Sequence, residues 1–168
     1  MKKIWFYEYK AGSLSKLLNL GIAEENGAIC RVLFGEKYKQ DGFEEQETTL
    51  IKEAAKQLDE YFNKKRKVFN LPLTLYGTEF QKKVWNELLN IPYGKTCSYG
   101  ELAAMTGNSK ASRAVGAANN RNPIVIIIPC HRVIGHDGSL TGYAGGLELK
   151  RQLLELENAD NFVKSRQG

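Results

Sequence analysis

Cysteine is scarce in this sequence. Three thiols, Cys30, Cys97 and Cys130, are scattered through 168 residues, and none belongs to a C-x-x-C pair. That excludes a disulfide framework and gives no zinc-type spacing, so reduced thiols are expected. Long apolar runs are lacking as well. The opening "MKKIWFYEYK" begins with lysines, but its apolar stretch breaks at Glu8, too soon for a signal-peptide core, and no window approaches a membrane span. The chain is expected in the cytosol or nucleus, with no membrane partner. Nor is either sign of charge in large excess. The net charge of +5 comes from 13 basic against 11 acidic residues over 1–75 and 11 against 8 over 76–168, too even a balance to argue for a polyanion partner. What is present is ordinary globular composition, 42% hydrophobic and 26% charged, enough for one or two small domains with their own cores.

The first third reads as β structure. "KKIWFYEY", "LSKLLNLGIAE" and "AICRVLFG" are short apolar segments, and Glu25-Asn26-Gly27 between the last two suits a hairpin. The charged stretch "EKYKQDGFEEQE" reads as a solvated loop. After it, Thr48 or Thr49 can cap a helix that carries Leu50, Ala54, Leu58, Tyr61 and Phe62 on one face and ends at "NKKRK", where cations suit a helix C-terminus. "VFNLPLTLYG" is extended, holds a proline and closes on glycine. It marks a domain boundary, giving an N-terminal domain over 1–75 and a C-terminal domain over 76–168.

Beyond the boundary the pattern is helical. "TEFQKKVWNELLNI" opens with a capping box from Thr78 to Gln81 and spaces Phe80, Val84, Trp85, Leu88 and Leu89 for a core. Ser98 and Glu101 form a second capping box, and Leu102, Ala103 and Met105 supply an apolar face. Gly107-Asn108 then breaks the chain before another helix from about Lys110. Two short helices around a glycine turn fit either a helix-turn-helix or an ordinary helical hairpin. The second of them is slim: Ala111, Ser112, Ala114, Gly116, Ala117 and Ala118 leave Arg113 as the long side chain between Lys110 and Arg121. Such a helix suits close approach, to packed neighbours or to a minor groove about 6 Å wide.

"PIVIIIP" reads as a short strand buried on both faces and pinned by Pro123 and Pro129, so Cys130 falls where a rigid element ends. An inert buried thiol is the better reading of Cys30 and Cys97. Cys130 differs, because His131, Arg132 and a polar glycine-rich loop follow it, and cationic neighbours favour the nucleophilic thiolate. Adjacent residues of a strand face opposite ways, so a link between Cys130 and His131 requires a turn or a bridging water. Glu157, on the helix "LELKRQLLELEN", is one candidate for the acceptor that orients His131. Two alternatives to a group-transfer thiol stand beside it. A cysteine hydrolase would turn over repeatedly on an ester or amide, and a binding module would hold its partner without covalent change.

"IPCHRVIG" resembles the active-site motif of the O6-alkylguanine-DNA alkyltransferases, and the likeness runs in order from "GTEFQKKVWNELL" through "SYGELAAMTGNSKASRAVGAANNRNP" to "GYAGGLELKRQLLELE", about half the chain. The resemblance implies an α/β N-terminal domain that is ribonuclease H-like, followed by a mainly α C-terminal winged helix-turn-helix domain. It implies DNA repair by direct damage reversal. Cys130 accepts the alkyl group from O6-alkylguanine, and possibly O4-alkylthymine, in a double-stranded DNA whose damaged base is flipped out. His131 serves as base through a water, Glu157 holds and polarises it, and Asn122 braces the turn against the active-site strand. Tyr99 rotates the target phosphate and donates to the leaving guanine. Arg113 enters the duplex in place of the base, while Lys110, Ala111, Ala114, Arg121, Arg132 and Val133 meet DNA from the minor groove. Tyr143 and the backbone at Ala144, a position where some relatives carry serine, line the base pocket. A monomer associated with the nucleoid, or nuclear in a eukaryote, is implied.

The chemistry adds that displacement at an alkyl carbon leaves a thioether, which water does not cleave as it does an acyl-enzyme, so one turnover per molecule is expected. No cofactor is expected, since a thiolate needs none. No metal is expected either, because residues 1–75, where some relatives bind zinc, contain Cys30 alone and no histidine.

Overall fold

A computed structural model describes residues 1–10, 12, 14–35 and 42–159. The chain divides into two compact units, Met1–Tyr76 with Pro123–Ile127, and Gly77–Asn122 with the chain from Ile128 onward. The first is a mixed sheet with one helix; the second is mainly helical.

In the first unit β1 (Lys2–Tyr9), β2 (Leu18–Glu25) and β3 (Ala28–Phe34) form an antiparallel meander. Asn26 and Gly27 both take left-handed backbone, at φ 51° and 78°, which a two-residue hairpin turn requires. β4 (Phe43–Glu45) lies parallel to Lys2–Ile4 on the other side of β1, giving the order β3-β2-β1-β4. The solvated loop expected over 36–47 is therefore a strand in this part, because pairing with β1 outweighs local charge. The part over 36–41 lies outside the described residues.

Alternate residues of β1 serve the two faces of the sheet. Ile4 clusters with Ala23 and Cys30, while Tyr9 packs its ring 5.1 Å from that of Phe62 on α1 (Thr49–Phe62). Thr48 caps α1 by accepting from the Ile51 amide, and Ile51, Ala54, Leu58, Tyr61 and Phe62 form its buried stripe.

The free edge of β3 is paired by two short pieces of chain. The Ile29 amide donates to Pro72 O at 2.8 Å and Thr74 N to Ile29 O at 2.9 Å. Further along, Val32 N donates to Pro123 O at 3.0 Å and Val125 N to Val32 O at 3.1 Å. These last bonds place 123–127 with the first unit, whereas the sequence reading kept them in the C-terminal domain.

The expected strand over "PIVIIIP" is broken. Ile126 has φ 70°, and Ile127 N closes a three-residue turn on Val125 O at 2.8 Å; a second such turn, around Pro129, joins Cys130 N to Ile128 O at 2.8 Å. β-branched side chains favour a strand, but burial of every residue from Pro123 to Val133 outweighs the cost of about 1–2 kcal/mol for one left-handed residue.

In the second unit α2 (Glu79–Leu88) and α3 (Tyr99–Met105) both start with complete capping boxes, from Thr78 and Ser98. Val84, Trp85 and Leu88 are buried, and the Trp85 indole donates to Ala118 O at 2.9 Å on α4 (Ser112–Asn120). Gly77 makes this possible, since a Cβ there would lie 2.6 Å from the indole ring. Phe80, Leu89 and Met105, expected at core positions, are 38–42% exposed, because each sits at an end of its helix, Phe80 in the first turn of α2, Leu89 at its C-cap and Met105 as the last residue of α3. Gly107, at φ 94°, turns the chain between α3 and α4. β5 (Cys97–Ser98) pairs in parallel with β6 (Val133–Ile134), and α5 (Leu147–Leu156) closes the unit by packing Leu154 on Ile134.

Candidate active site

Cys130 opens a single 3-10 turn, Cys130–Arg132, directly after the turn at Pro129. Strand alternation therefore does not apply to the Cys130-His131 step. The turn is secured from α4's end: Asn122 Nδ2 donates to Ile128 O at 2.7 Å, and Asn119 Nδ2 lies 3.5 Å from Cys130 O. Asn122 also hydrogen-bonds toward the Cys130 thiol.

Behind the turn lies a buried ionic group. His131 Nε2 hydrogen-bonds to Glu157 Oε2. The other carboxylate oxygen accepts from Arg132 Nε at 2.7 Å, and Arg132 also donates to Ile91 O at 2.7 Å. A buried carboxylate needs such partners to stay ionised. Arg132 is thus committed to Glu157, with its guanidinium 5.8 Å from the Tyr93 ring centre, and Val133 is fully buried in β6. The sequence reading put both at the DNA; here the Arg132 side chain is drawn inward by Glu157 and Ile91 O, and Val133 is held inside by pairing with Cys97 of β5.

Electrostatics separate the roles. Burial pushes the Cys130 thiol up to about 11, while the Asn122 hydrogen bond and the charge of Lys150 pull it down. Burial also lowers His131 below its ordinary value, with Glu157 opposing, so the ring is neutral at physiological pH. Neutral imidazole can take a proton. Lys150, fully buried on α5, is itself held down to about 8 by desolvation, with Cys130 opposing. Sequence reasoning missed this lysine. The signal was there, since Lys150 falls three and four residues before Leu153 and Leu154 and so shares their buried stripe.

The remaining expected residues lie outward. Tyr99, Ser112, Arg113, Gly116, Asn120, Thr141 and Gly142 line an open groove of about 340 Å³. Lys110, Arg113, Ala114 and Arg121 are exposed on or beside α4, and Ala111 is half-buried. Tyr143 buries its hydroxyl end and sets its ring edge-on to His131 at 6.5 Å, while Ala144 is exposed. Among the described residues no group of three or more His, Cys, Asp or Glu is placed to hold a metal, and no helix is long and apolar enough to cross a membrane.

This geometry has known counterparts. Residues 79–159 match the DNA binding domain of 6-O-methylguanine DNA methyltransferase, and residues 11–75 match the ribonuclease-like domain of the same family. The chain belongs to the 6-O-methylguanine DNA methyltransferase family. The constitutive methylated-DNA–protein-cysteine methyltransferase of Bacillus subtilis is 46% identical over 156 residues, 89% of this chain and 94% of that protein. The Methanosarcina acetivorans methylated-DNA–protein-cysteine methyltransferase is 60% identical over 110 residues, 66% of this chain and 70% of that one. In three dimensions the chain resembles Mycobacterium tuberculosis OGT in complex with DNA, with a TM-score of 0.78 and 40% identity over 94% of this chain and 92% of that one. Family membership and the buried thiol cluster direct attention to one residue, Cys130.

Proposed function

We propose that this chain repairs alkylated DNA by transferring the alkyl group from O6 of guanine to Cys130, once per molecule. The observation that carries this reading is the convergence of proton-handling groups around one thiol: Asn122 and Lys150 act on Cys130, and Glu157 holds a neutral His131 beside it in sequence.

In the reaction His131 takes the thiol proton through a water. The thiolate then attacks the alkyl carbon, the bond to O6 breaks, and its electron pair stays with guanine, which Tyr99 meets with a hydrogen bond or proton. The products are S-alkylcysteine and unmodified guanine. Lys150 supports the thiolate by charge, and Glu157 supports the imidazolium that forms. The thioether lacks a leaving group that water can displace, which ends the cycle.

An alkyl carbon inside a duplex is out of reach of a buried thiol, so the base must be flipped, at a cost of about a few kcal/mol. Arg113, exposed beside Tyr99 in the groove, offsets part of this by filling the vacated space. In this reading α3, the Gly107 turn and α4 form a helix-turn-helix with β5–β6 as its wing. The small exposed residues of α4 enter the minor groove, with Lys110 and Arg121 on phosphates. The first domain, 1–75, is ribonuclease H-like, and the protein acts as a monomer on double-stranded DNA.

The test is an intact-mass spectrum and peptide map after incubation with duplex DNA carrying one O6-methylguanine. One methyl on the Cys130 peptide, saturating at one equivalent, supports the reading. Binding without a mass change would make the chain a damage sensor, and repeated turnover on an ester would make it a hydrolase.

A further inference from the structure

The groove residue Tyr99 and the buried Lys150 are joined through one loop residue, Thr141. Thr141 Oγ1 donates to the Tyr99 hydroxyl oxygen at 3.0 Å, and the Tyr99 hydroxyl donates to Thr141 O at 3.3 Å. The same carbonyl accepts from Lys150 Nζ at 2.8 Å. A carbonyl oxygen has two lone pairs, so both donors are served together.

This arrangement exceeds what packing requires. The hydroxyl of a half-buried tyrosine at the mouth of an open groove could be satisfied by solvent, yet here one residue engages it both as acceptor and as donor. The loop that carries Thr141 is itself held on two sides. Lys150 grips its carbonyl from the interior, and a Cβ added at Gly142, where φ is 42°, would lie 3.1 Å from the Asn120 amide on α4. Thr141 therefore has little freedom, and neither does the phenol it holds.

The two bonds to Tyr99 differ in length, and the difference suits a donor in waiting. The longer one, at 3.3 Å, uses the tyrosine's own hydrogen and can be exchanged for a substrate oxygen. The 3.0 Å bond from Thr141 Oγ1 can persist through that exchange and keep the ring in place. We propose that Thr141 is a positioning residue for alkyl transfer: its hydroxyl fixes Tyr99 so that the phenol hydrogen passes from the Thr141 carbonyl to the substrate. Its carbonyl ties that tyrosine to Lys150, the cation acting on Cys130. The inference rests on the preceding reading of Tyr99 as a donor to the alkylated nucleotide.

The experiment measures single-turnover methyl transfer to Cys130, and duplex affinity, for the full chain and for Thr141→Val, Thr141→Ser, Tyr99→Phe and the Thr141→Val/Tyr99→Phe double variant. Valine keeps the shape and removes only the hydroxyl. Thr141→Val is expected to slow transfer about tenfold with affinity unchanged, as loss of one well-placed hydrogen bond would, and Thr141→Ser to restore the rate to within about twofold of wild type. In the Tyr99→Phe background Thr141→Val should add nothing, because the group it positions is gone. A wild-type rate in Thr141→Val, a serine variant as slow as valine, or an equal loss with and without Tyr99 overturns the inference alone, provided the wild type transfers its methyl. A wild type that binds duplex but gains no methyl overturns the functional reading and this inference with it.

Discussion

Cys30 and Cys130 are both buried thiols, one in each unit, and burial pushes both above the ordinary range, yet the charges around Cys30 are of mixed sign whereas the influences of the groups around Cys130 all favour the thiolate. After burial, the largest influence on Cys30 is the negative charge of Glu25, which raises it further against the smaller lowering effects of Arg31 and Lys2. Glu101 likewise raises Cys97, which reaches about 12. Around Cys130 every influence after burial lowers the value: the Asn122 hydrogen bond, then Lys150, then the backbone. A buried thiol is inert by default. What distinguishes Cys130 is a set of neighbours that favour its charged form, together with a histidine, His131, held neutral next to it in sequence.

The comparison breaks most sharply by deletion. Cys130→Ser should abolish methyl transfer while duplex binding persists. Cys30→Ala should leave the transfer rate unchanged and cost about 1 kcal/mol of stability, the usual order for trimming a buried side chain. Single-turnover transfer assays beside urea unfolding measure both. Loss of transfer in Cys30→Ala would mean that the thiols do not divide as their surroundings indicate.

Next in size is the carboxylate behind His131. Glu157→Gln removes the charge that stabilises a protonated imidazole and leaves the buried Arg132 without its counter-ion. Transfer should slow on the order of a hundredfold, as loss of an oriented general base does. Stability should fall by about 3–5 kcal/mol, the cost of breaking a buried ion pair. Glu25→Gln, the matching change beside Cys30, should alter neither. Stopped-time methylation assays and chemical denaturation of both variants decide between them.

Much of this was legible in the sequence where the determinants are local. Asn26-Gly27 announced its hairpin and Thr78 and Ser98 their capping boxes, because each signal and the structure it specifies lie within a few residues. Cys130 and His131 stood out through the motif, whereas Glu157 was one candidate that spacing alone could not select and that the family resemblance picked out. Non-local pairing was not legible. Phe43–Glu45 becomes a strand only because Lys2–Ile4 lies beside it, and "PIVIIIP" leaves strand geometry at Ile126, where Val125 pairs with Val32 far back in the chain and Ile127 N turns onto Val125 O. The two buried cations show the same limit: Arg132 was assigned to the DNA and Lys150 was passed over, because neither residue reveals its buried partner, Glu157 or Thr141 O, until the chain is folded.

Lys150 gives the smallest effect and the finest discrimination. The ordinary lysine value of 10.5 is lowered to about 8 in the folded chain, so below pH 8 the native state keeps a buried charge that the unfolded chain would solvate. The unfolded chain binds more protons between pH 8 and 10.5, and stability should therefore rise with pH through that window. Lys150→Met should remove the rise and make the protein more stable at pH 7, on the order of 1–3 kcal/mol. Activity should move the other way. The charged lysine favours the Cys130 thiolate, so Lys150→Met should slow transfer by about tenfold at pH 7, equivalent to about one pKa unit on the thiol. It should also erase an inflection near pH 8 in the wild-type rate, where the lysine loses its proton. Urea unfolding at pH 7 and pH 10, beside transfer rates across the same range, measures both. A variant that is slower but not more stable would mean that Lys150 is held by packing at little cost. One that is more stable but equally fast would mean that Cys130 is activated without it, leaving Asn122 and His131 to separate this thiol from Cys30.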